Sequence, residues 1–223
     1  MASERYDDRL LELPLFQGFS VSDLKDVVAN IKLRKIDVSK GKTIVDEGDP
    51  CREIYIVCQG YVTAVSYADD KGYSISEQLT APCLVQPERL FGFTQRYTRQ
   101  FIAGNNCQLL CIPKADVVIL TNNFEIFRLN LLNIICTQTQ RLTHIPWRVG
   151  AQTIREKIFR FLETRCLRPA GEKQLCIKME RLATEIHESR LNVSKELNAL
   201  ATQGLIVLKR SSIYVVALER LKE

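Results

Sequence analysis

Apolar positions recur at helical spacing between Ser20 and Leu33, where Leu24, Val27, Val28 and Ile31 share one face. Ser20 or Ser22 can cap the start of that helix. From Ile36 to about Ile112 the period shortens to strands punctuated by turns. Thr43-Ile44-Val45 runs into Asp46-Glu47-Gly48-Asp49-Pro50, and Ile54-Tyr55-Ile56-Val57 stops at Gln59-Gly60. Tyr61-Val62-Thr63-Ala64-Val65 then ends at Asp69-Asp70-Lys71-Gly72. Strands at such regular spacing, with Gly, Pro and Asp between them, predict an all-β sandwich or roll.

Asp116 opens a stretch without glycine or proline that continues to Ile145. Within it Phe124, Phe127, Leu131, Ile134, Gln138, Leu142 and Ile145 stand three or four apart. That is a narrow seam of nearly heptad period, with Leu120, Ile135 and Cys136 on a second flank. The pattern predicts one long helix over about 116–145 that meets the same helix of a second copy. A lone helix lying across its own domain is the plainer alternative. Pro146 ends the helix, because proline lacks a backbone donor and restricts the residues before it, so Pro146 to Gly150 reads as a hinge. A further helix runs from Thr153 to about Cys166, with Ile154, Ile158, Phe159 and Leu162 on one face. Arg168-Pro169-Ala170-Gly171 is a turn.

The richest stretch is Gly171 to Leu218. Lys178 to Glu188 predicts a helix with Met179, Leu182, Ala183 and Ile186 inward, and Ser189 to Gln203 a second with Val193, Leu197 and Leu200 inward. Gly204 closes the second helix. Leu205 to Leu208, a turn at Lys209-Arg210-Ser211-Ser212, and Ile213 to Val216 then form a β-hairpin. Two short helices and a hairpin make a winged helix-turn-helix, whose second helix fits the DNA major groove with its N-terminal turns against base edges. The candidate contacts there are Ser189, Arg190, Asn192, Ser194 and Lys195, joined by Lys178 at the start of the first helix and by Lys209 and Arg210 at the hairpin tip. Arginine can pair bidentately with guanine and asparagine with adenine, while the serine and lysine positions suit phosphate. Charged helix faces are commonly just solvated, so the alternative is a small helical domain with a polar surface.

Charge distribution sharpens this reading. The net charge is +5 overall, but Met1–Pro146 holds 16 Lys+Arg against 17 Asp+Glu, whereas Trp147–Glu223 holds 15 against 9. A neutral first part and a basic second part are what is expected when only the second meets a polyanion. With 223 residues, 46% apolar and 26% charged, the chain has the makings of two ordinary globular domains. No run approaches the ~20 apolar residues of a membrane span, and Met1 to Asp8 is charged where a secretory signal would be apolar. A cytoplasmic protein without membrane contact is expected. The eight cysteines include no Cys-x-x-Cys pair and most of them interrupt apolar strings, which reads as buried reduced thiols with a redox role as the minority alternative.

From about Pro14 to Leu218 the chain resembles the family of the cyclic-AMP receptor protein and the fumarate-nitrate reductase regulator. Gly41-Lys42-Thr43-Ile44-Val45-Asp46-Glu47-Gly48-Asp49-Pro50, followed by Ile54 to Val62, resembles that family's cyclic-nucleotide-binding roll. Glu188-Ser189-Arg190-Leu191-Asn192-Val193-Ser194-Lys195-Glu196-Leu197, followed by Gly204-Leu205-Ile206, resembles its recognition helix and the approach to its wing. The resemblance implies a homodimer through the central helix that reads two-fold-symmetric DNA, with half-sites about 34 Å apart. Double-stranded DNA, a second copy of the chain, RNA polymerase and a small-molecule effector are the implied partners. Arg190 matches the family's base-reading arginine and Lys195 a second basic position. Leu191 stands where the family often has an acidic residue and Asn192 where many members have threonine, so the family's consensus half-site is not expected.

The effector region departs further. Members that bind cyclic nucleotides carry Phe-Gly-Glu or Gly-Glu, whose glutamate meets the ribose, and then Arg-Ser or Arg-Thr on the cyclic phosphate. Here Phe91-Gly92 is followed by Phe93, and Tyr97 beside Thr98 takes the arginine position. A shift of one residue would bring Arg96 or Arg99 into play, since an anion needs a cation and donors together. The candidate pocket is therefore Glu88, Gly92, Arg96, Tyr97, Thr98 and Arg99. These departures count against cyclic AMP and leave the effector open. No cysteine precedes Cys51, as an N-terminal iron–sulfur cluster would require, and neither His144 nor His187 lies in the roll, so no cluster or metal is expected. Two rivals remain: a nucleotide-like sensor acting on a protein partner, and a cupin-like enzyme, which would need histidines that the roll lacks. The expected architecture is α+β: a sensing roll with its dimerisation helix over 1–146 and a winged-helix DNA-binding domain over 147–223.

Overall fold

A computed structural model describes residues 10–147 and 149–222. The segment Met1 to Asp8, and Arg148 within the expected hinge, lie outside the described residues. By its internal packing the chain divides into two units. The first runs to Val62 and resumes at Leu79–Thr143; the second joins Thr63–Gln78 to the residues from His144 onward.

Eight short strands arise in the region where the sequence alternates. They are β1 (Arg34–Val38), β2 (Thr43–Val45), β3 (Glu53–Gln59), β4 (Tyr61–Tyr67), β5 (Ser74–Thr80), β6 (Cys83–Val85), β7 (Gln100–Ala103) and β8 (Cys107–Pro113). The pairs β1–β8, β8–β3 and β3–β6 are antiparallel and make one sheet in the order β1-β8-β3-β6. Strand β2 pairs with β7 across a bulge, Val45 opposite Phe101. Ile54, Ile56, Leu109, Ile112 and Phe101 fill the interior and are almost wholly buried. Gly60 turns β3 into β4 with φ +89°, and a Cβ there would lie 2.5 Å from Asn105 Oδ1 and 2.8 Å from the Asn106 carbonyl. Only glycine fits that approach. This is the β-roll of an α+β chain.

Helix α1 (Val21–Asn30) begins at Ser20, whose hydroxyl accepts from the Asp23 N–H while the Asp23 carboxylate accepts from the Ser20 N–H, both at 3.1 Å. This reciprocal capping box selects Ser20 over Ser22. Leu24 and Val27 point inward, whereas Val28 is exposed.

The expected single helix over 116–145 is two helices, α2 (Lys114–Asn123) and α3 (Glu125–His144), parted at Phe124. Phe124 takes extended backbone (φ −124°, ψ 104°), and its ring stacks at a tilt 5.5 Å from Phe19. Asn122 and Asn123 weaken the helix just before the break. Arg128 Nη1 donates to the Thr121 carbonyl, one of the acceptors that a helix end leaves open. The seam residues divide as well. Phe127 and Leu131 are buried in their own unit, Phe127 edge-on to Phe16 at 5.5 Å, and Asn130 Nδ2 ties the helix to the carbonyls of Leu15 and Gln17. Phe124, Phe127 and Leu131 are thus occupied by the chain itself. Ile134 and Gln138 are half-buried and Leu142 is exposed. On the opposite side of α3, Leu129 (47% exposed), Leu132 (50%) and Cys136 face outward.

The second unit contains α4 (Ile154–Glu163), β9 (Lys173–Cys176), α5 (Met179–Glu185), α6 (Arg190–Thr202), β10 (Ile206–Lys209) and β11 (Ser212–Val215). Thr153 caps α4 by accepting from the Glu156 N–H. The strands run in the order β10-β11-β9-β5-β4. Strand β9 was not anticipated, and β5, expected within the roll's own packing, pairs with it: Ser74 faces Cys176, Ile75 faces Leu175 and Glu77 faces Lys173. Ile75 joins the core of this unit beside Phe159, Leu162, Leu175, Leu182, Val193 and Leu197.

None of the eight cysteines is in a disulfide, and five of them are buried. Burial pushes the Cys111 thiol up to about 12 and raises Cys51 and Cys58 in the same sense. The raised value keeps the nucleophilic thiolate scarce at neutral pH.

Phe127→Ala is expected to destabilise the first unit by about 3–5 kcal/mol in denaturant melts, the usual cost of emptying an aromatic site. If the seam were purely a partner contact, the same change would alter assembly and leave monomer stability nearly intact. Iodoacetamide at about pH 8 should leave Cys51 and Cys111 unlabelled in the native protein and label them once it is denatured. Early labelling of Cys111, read by mass spectrometry, would contradict its burial.

Candidate nucleic-acid interface and effector region

Helix α6 owes its start to Ser189, in extended backbone, whose hydroxyl accepts from the Asn192 N–H at 3.1 Å. The predicted phosphate-facing serine therefore already spends its acceptor inside the helix. Val193, Leu197 and Leu200 are fully buried at helical spacing. The opposite side then presents Arg190, Leu191, Asn192 and Lys195 to solvent, with Ser194 half-buried. Arg190 Nε lies 3.2 Å from Glu180 Oε1, both side chains about two-thirds exposed. Such a surface pair is worth about 0–1 kcal/mol, so the guanidinium is readily drawn to another anion. Glu188, just before the cap, binds Lys157 Nζ at 2.6 Å, and that hydrogen bond holds its carboxyl below the usual range.

Helix α5 ends at Ile186, earlier than the pattern predicts, and His187 takes left-handed backbone (φ +54°) in the link to α6. Lys178 is the exposed N-cap residue of α5. Gly204, at φ +73°, turns the chain out of α6 into β10. The hairpin loop is Arg210-Ser211, and Lys209 Nζ lies 4.4 Å from the Tyr214 ring centroid. The eight candidate positions thus fall on the start of α5, the start of α6 and the β10–β11 loop, all within one unit.

The candidate effector residues are dispersed. Tyr97 is buried and its hydroxyl donates to the Glu53 carbonyl at 3.1 Å, with burial driving its pKa well above the ordinary phenol value. It points into the roll's core and leaves the candidate set. The place beside it is filled by Gln86, which the sequence reading did not single out. Gln86 is buried, in left-handed backbone (φ 38°), and its amide Nε2 donates to Thr98 Oγ1 at 2.7 Å while its Oε1 accepts from the Thr98 N–H at 3.0 Å. Thr98 therefore already has partners for its N–H and its hydroxyl. The signal available was a lone amide between the apolar run Cys83-Leu84-Val85 and Pro87, a position where a polar side chain needs internal partners. Arg96 Nη1 donates to the Gly48 carbonyl at 2.7 Å, and Gly92 and Phe93 lie exposed on the outer loop. Arg99 is half-buried. Glu88 is half-buried with Oε2 unsatisfied, 3.9 Å of separation parting its Oε1 from Arg89 Nε.

A separate cavity of about 340 Å³ opens elsewhere in the first unit, lined by Leu13, Lys35, Cys58, Gln108 and Leu110. That volume lies within the small-molecule range. Among the described residues no group of three or more His, Cys, Asp or Glu could hold a metal ion, and no helix is long and apolar enough to cross a membrane.

Residues 35–123 match the family model of the cyclic nucleotide-binding domain. No curated protein matches the chain. Among solved structures, the sensor domain of the transcriptional regulator DNR from Pseudomonas aeruginosa aligns over 69% of this chain and all of its own, with 19% identity and a TM-score of 0.54. A cyclic nucleotide-binding domain from Methylobacillus flagellatus aligns over 68% of this chain and 89% of its own, with 15% identity and a TM-score of 0.52. The Thermus thermophilus catabolite activator protein spans more, 94% of this chain and 97% of its own, with 21% identity and a TM-score of 0.49. The first two likenesses concern the fold and agree with the sequence match. Over residues 35–123 the chain is thus similar to cyclic nucleotide-binding domains in sequence, and its fold is like theirs.

Proposed function

We propose that the chain is a sequence-specific DNA-binding transcription regulator, active as a homodimer and controlled through its β-roll. The observation that carries this reading is the start of α6. Arg190, Asn192 and Lys195 are exposed on a helix whose other face is fully buried, with Lys178 at the start of α5 and the basic loop at Lys209 and Arg210 in the same unit. Read as a winged helix-turn-helix, α6 is the helix that enters the major groove. Arg190 and Asn192 carry base recognition, while Lys195, Lys178, Lys209 and Arg210 contribute the salt-dependent phosphate contacts. In this role the protein binds DNA and RNA polymerase and catalyses nothing.

Dimerisation is assigned to α3, through a face revised from the sequence seam. Phe127 and Leu131 serve the chain's own core, so the partner helix is met by Leu129, Leu132 and Cys136. A signal in the roll would shift the paired helices and pass through the Pro146 to Gly150 linker to the reading helices. This is a population shift, and it requires the signal to favour one arrangement. Cyclic AMP is not the ligand we assign. Tyr97 is turned into the core, Thr98 is bonded to Gln86 and Arg96 donates to the Gly48 carbonyl, which counts against the cation and donor pair that a cyclic phosphate needs.

Selection of bound genomic DNA with purified protein, at stated salt, should recover a two-fold-symmetric site. Arg190→Ala should relax discrimination at one position per half-site by about 1–3 kcal/mol. Recovery of no enriched sequence, with or without cell metabolites, would remove the DNA reading. Leu132→Glu should convert the dimer to monomer in light scattering and speed alkylation of Cys136; an unchanged mass would place the dimer contact elsewhere. Titration with cyclic AMP should give no saturable heat, and saturable binding would reverse the assignment of this region.

A further inference from the structure

The cavity of about 340 Å³ in the first unit uses none of the candidate effector residues between Glu88 and Arg99. One of its walls is the sheet segment β1-β8-β3. Lys35 on β1 faces Leu110 on β8. Two residues along β8, on the same face, Gln108 stands opposite Gln59 of β3. One ammonium, one leucine and two primary amides are thereby brought to a single patch of sheet. Cys58 completes this wall. The register passes from Val57 opposite Leu109 to Gln59 opposite Gln108, so Cys58 is the extra residue of a bulge. A bulge of this kind re-aims a side chain out of the regular alternation.

Leu10 and Leu13 supply a second wall. Both are buried, and the segment that carries them is anchored just beyond them. Leu15 and Phe16 are wholly buried, and Asn130 Nδ2 on α3 donates to the Leu15 and Gln17 carbonyls at 3.2 and 2.8 Å. The Leu13 N–H donates to the Leu10 carbonyl at 3.0 Å and the Phe16 N–H to the Leu13 carbonyl at 2.9 Å, which fixes the turns of the segment. The cavity is thus bounded by hydrogen-bonded backbone on both sides, as a largely preformed ligand site is.

The lining discriminates by charge. Lys35 is the one cation among the lining residues, and its charge is felt at Cys58, where it opposes the burial that raises the thiol pKa. The Gln59 and Gln108 amides add N–H donors, and donors gathered around an ammonium favour an anionic acceptor. Glu12, exposed at the edge of the cavity, and Asp37, opposite Gln108 on β1, leave no surplus of positive charge. A doubly charged phosphate is therefore poorly matched, whereas one carboxylate is balanced by Lys35. Leu10, Leu13 and Leu110 offer the apolar surface on which a hydrocarbon body gains by leaving water.

We propose that this cavity is a ligand site distinct from the candidate effector region, and that it takes a small apolar monocarboxylate. The carboxylate is directed to Lys35 and the amides of Gln59 and Gln108, and the hydrocarbon lies on Leu10, Leu13 and Leu110. The site is complete within the first unit and is independent of the DNA-binding reading.

Calorimetric titration of the full-length chain at neutral pH with octanoate, octanol and octylamine tests this, since the three probes share a tail and differ in charge. Octanoate should bind saturably, with octanol about fivefold or more weaker. Lys35→Gln should weaken octanoate about threefold to fivefold, the discount proper to an exposed lysine, and leave octanol unchanged. At about ten times its Kd, octanoate should slow alkylation of Cys58 by iodoacetamide about tenfold, because only the unoccupied fraction reacts, with Cys136 as the unaffected control. Gln108→Trp, at an exposed strand position, narrows the cavity and should remove octanoate binding. Octanoate binding that survives Gln108→Trp and leaves Cys58 unprotected lies elsewhere and overturns the site. Octanol binding as tightly as octanoate, or octylamine more tightly, overturns the assignment of a carboxylate. No saturable heat from any of the three overturns both.

Discussion

Removing a carboxylate and an ammonium from water costs several kcal/mol per ion, and the C-terminal unit meets that cost at Glu77 and Lys173. The cost is offset because each charge is fully engaged. Two backbone N–H groups and an ammonium converge on the carboxylate, and the ammonium also has a carbonyl. Much of the architecture of that unit follows. Leu167 and Arg168 are fixed in the turn after α4, β5 is set in register on β9, and Ile75 is delivered into the core beside Leu175. The unit is therefore built from two separated stretches of chain, and neither supplies the pair alone.

Helix α3 obeys a different constraint, since apolar residues on both of its sides compete for cover. The side bearing Phe127 and Leu131 is claimed by Phe16 and the N-terminal segment, with Asn130 bonded to the same segment. The opposite side keeps Leu129 and Leu132 half in water. A contiguous apolar strip on an exposed helix is what a partner helix covers, and this is why the proposed dimer contact lies there and not on the more regular seam. The break at Phe124 serves the same division, because it places that ring against Phe19.

The candidate effector residues Tyr97 and Thr98 find their partners within the chain itself. Gln86 donates to the Thr98 hydroxyl oxygen and accepts from the Thr98 N–H. Tyr97 carries an aromatic ring that is buried in the core, and its hydroxyl donates to the Glu53 carbonyl there.

Local pattern sufficed for the elements whose information is local. Gly60 at a turn that admits no Cβ, Ser20 and Ser189 as helix caps, and the burial period of Val193, Leu197 and Leu200 are each legible within a few residues, because capping, turning and amphipathicity act over one or two turns of backbone. The exposed set at the start of α6 could be named for the same reason. What required the tertiary structure depended on partners distant in sequence. Nothing near Glu77 signals that it will be buried against a lysine 96 residues away, and β9 is too short and mixed to stand out without β5 and β11 beside it. The seam of α3 has the same period whether Phe16 or a second copy covers it, so periodicity could establish a buried stripe but not its owner. Side-chain period records that a face is covered; the identity of the cover is settled by long-range packing.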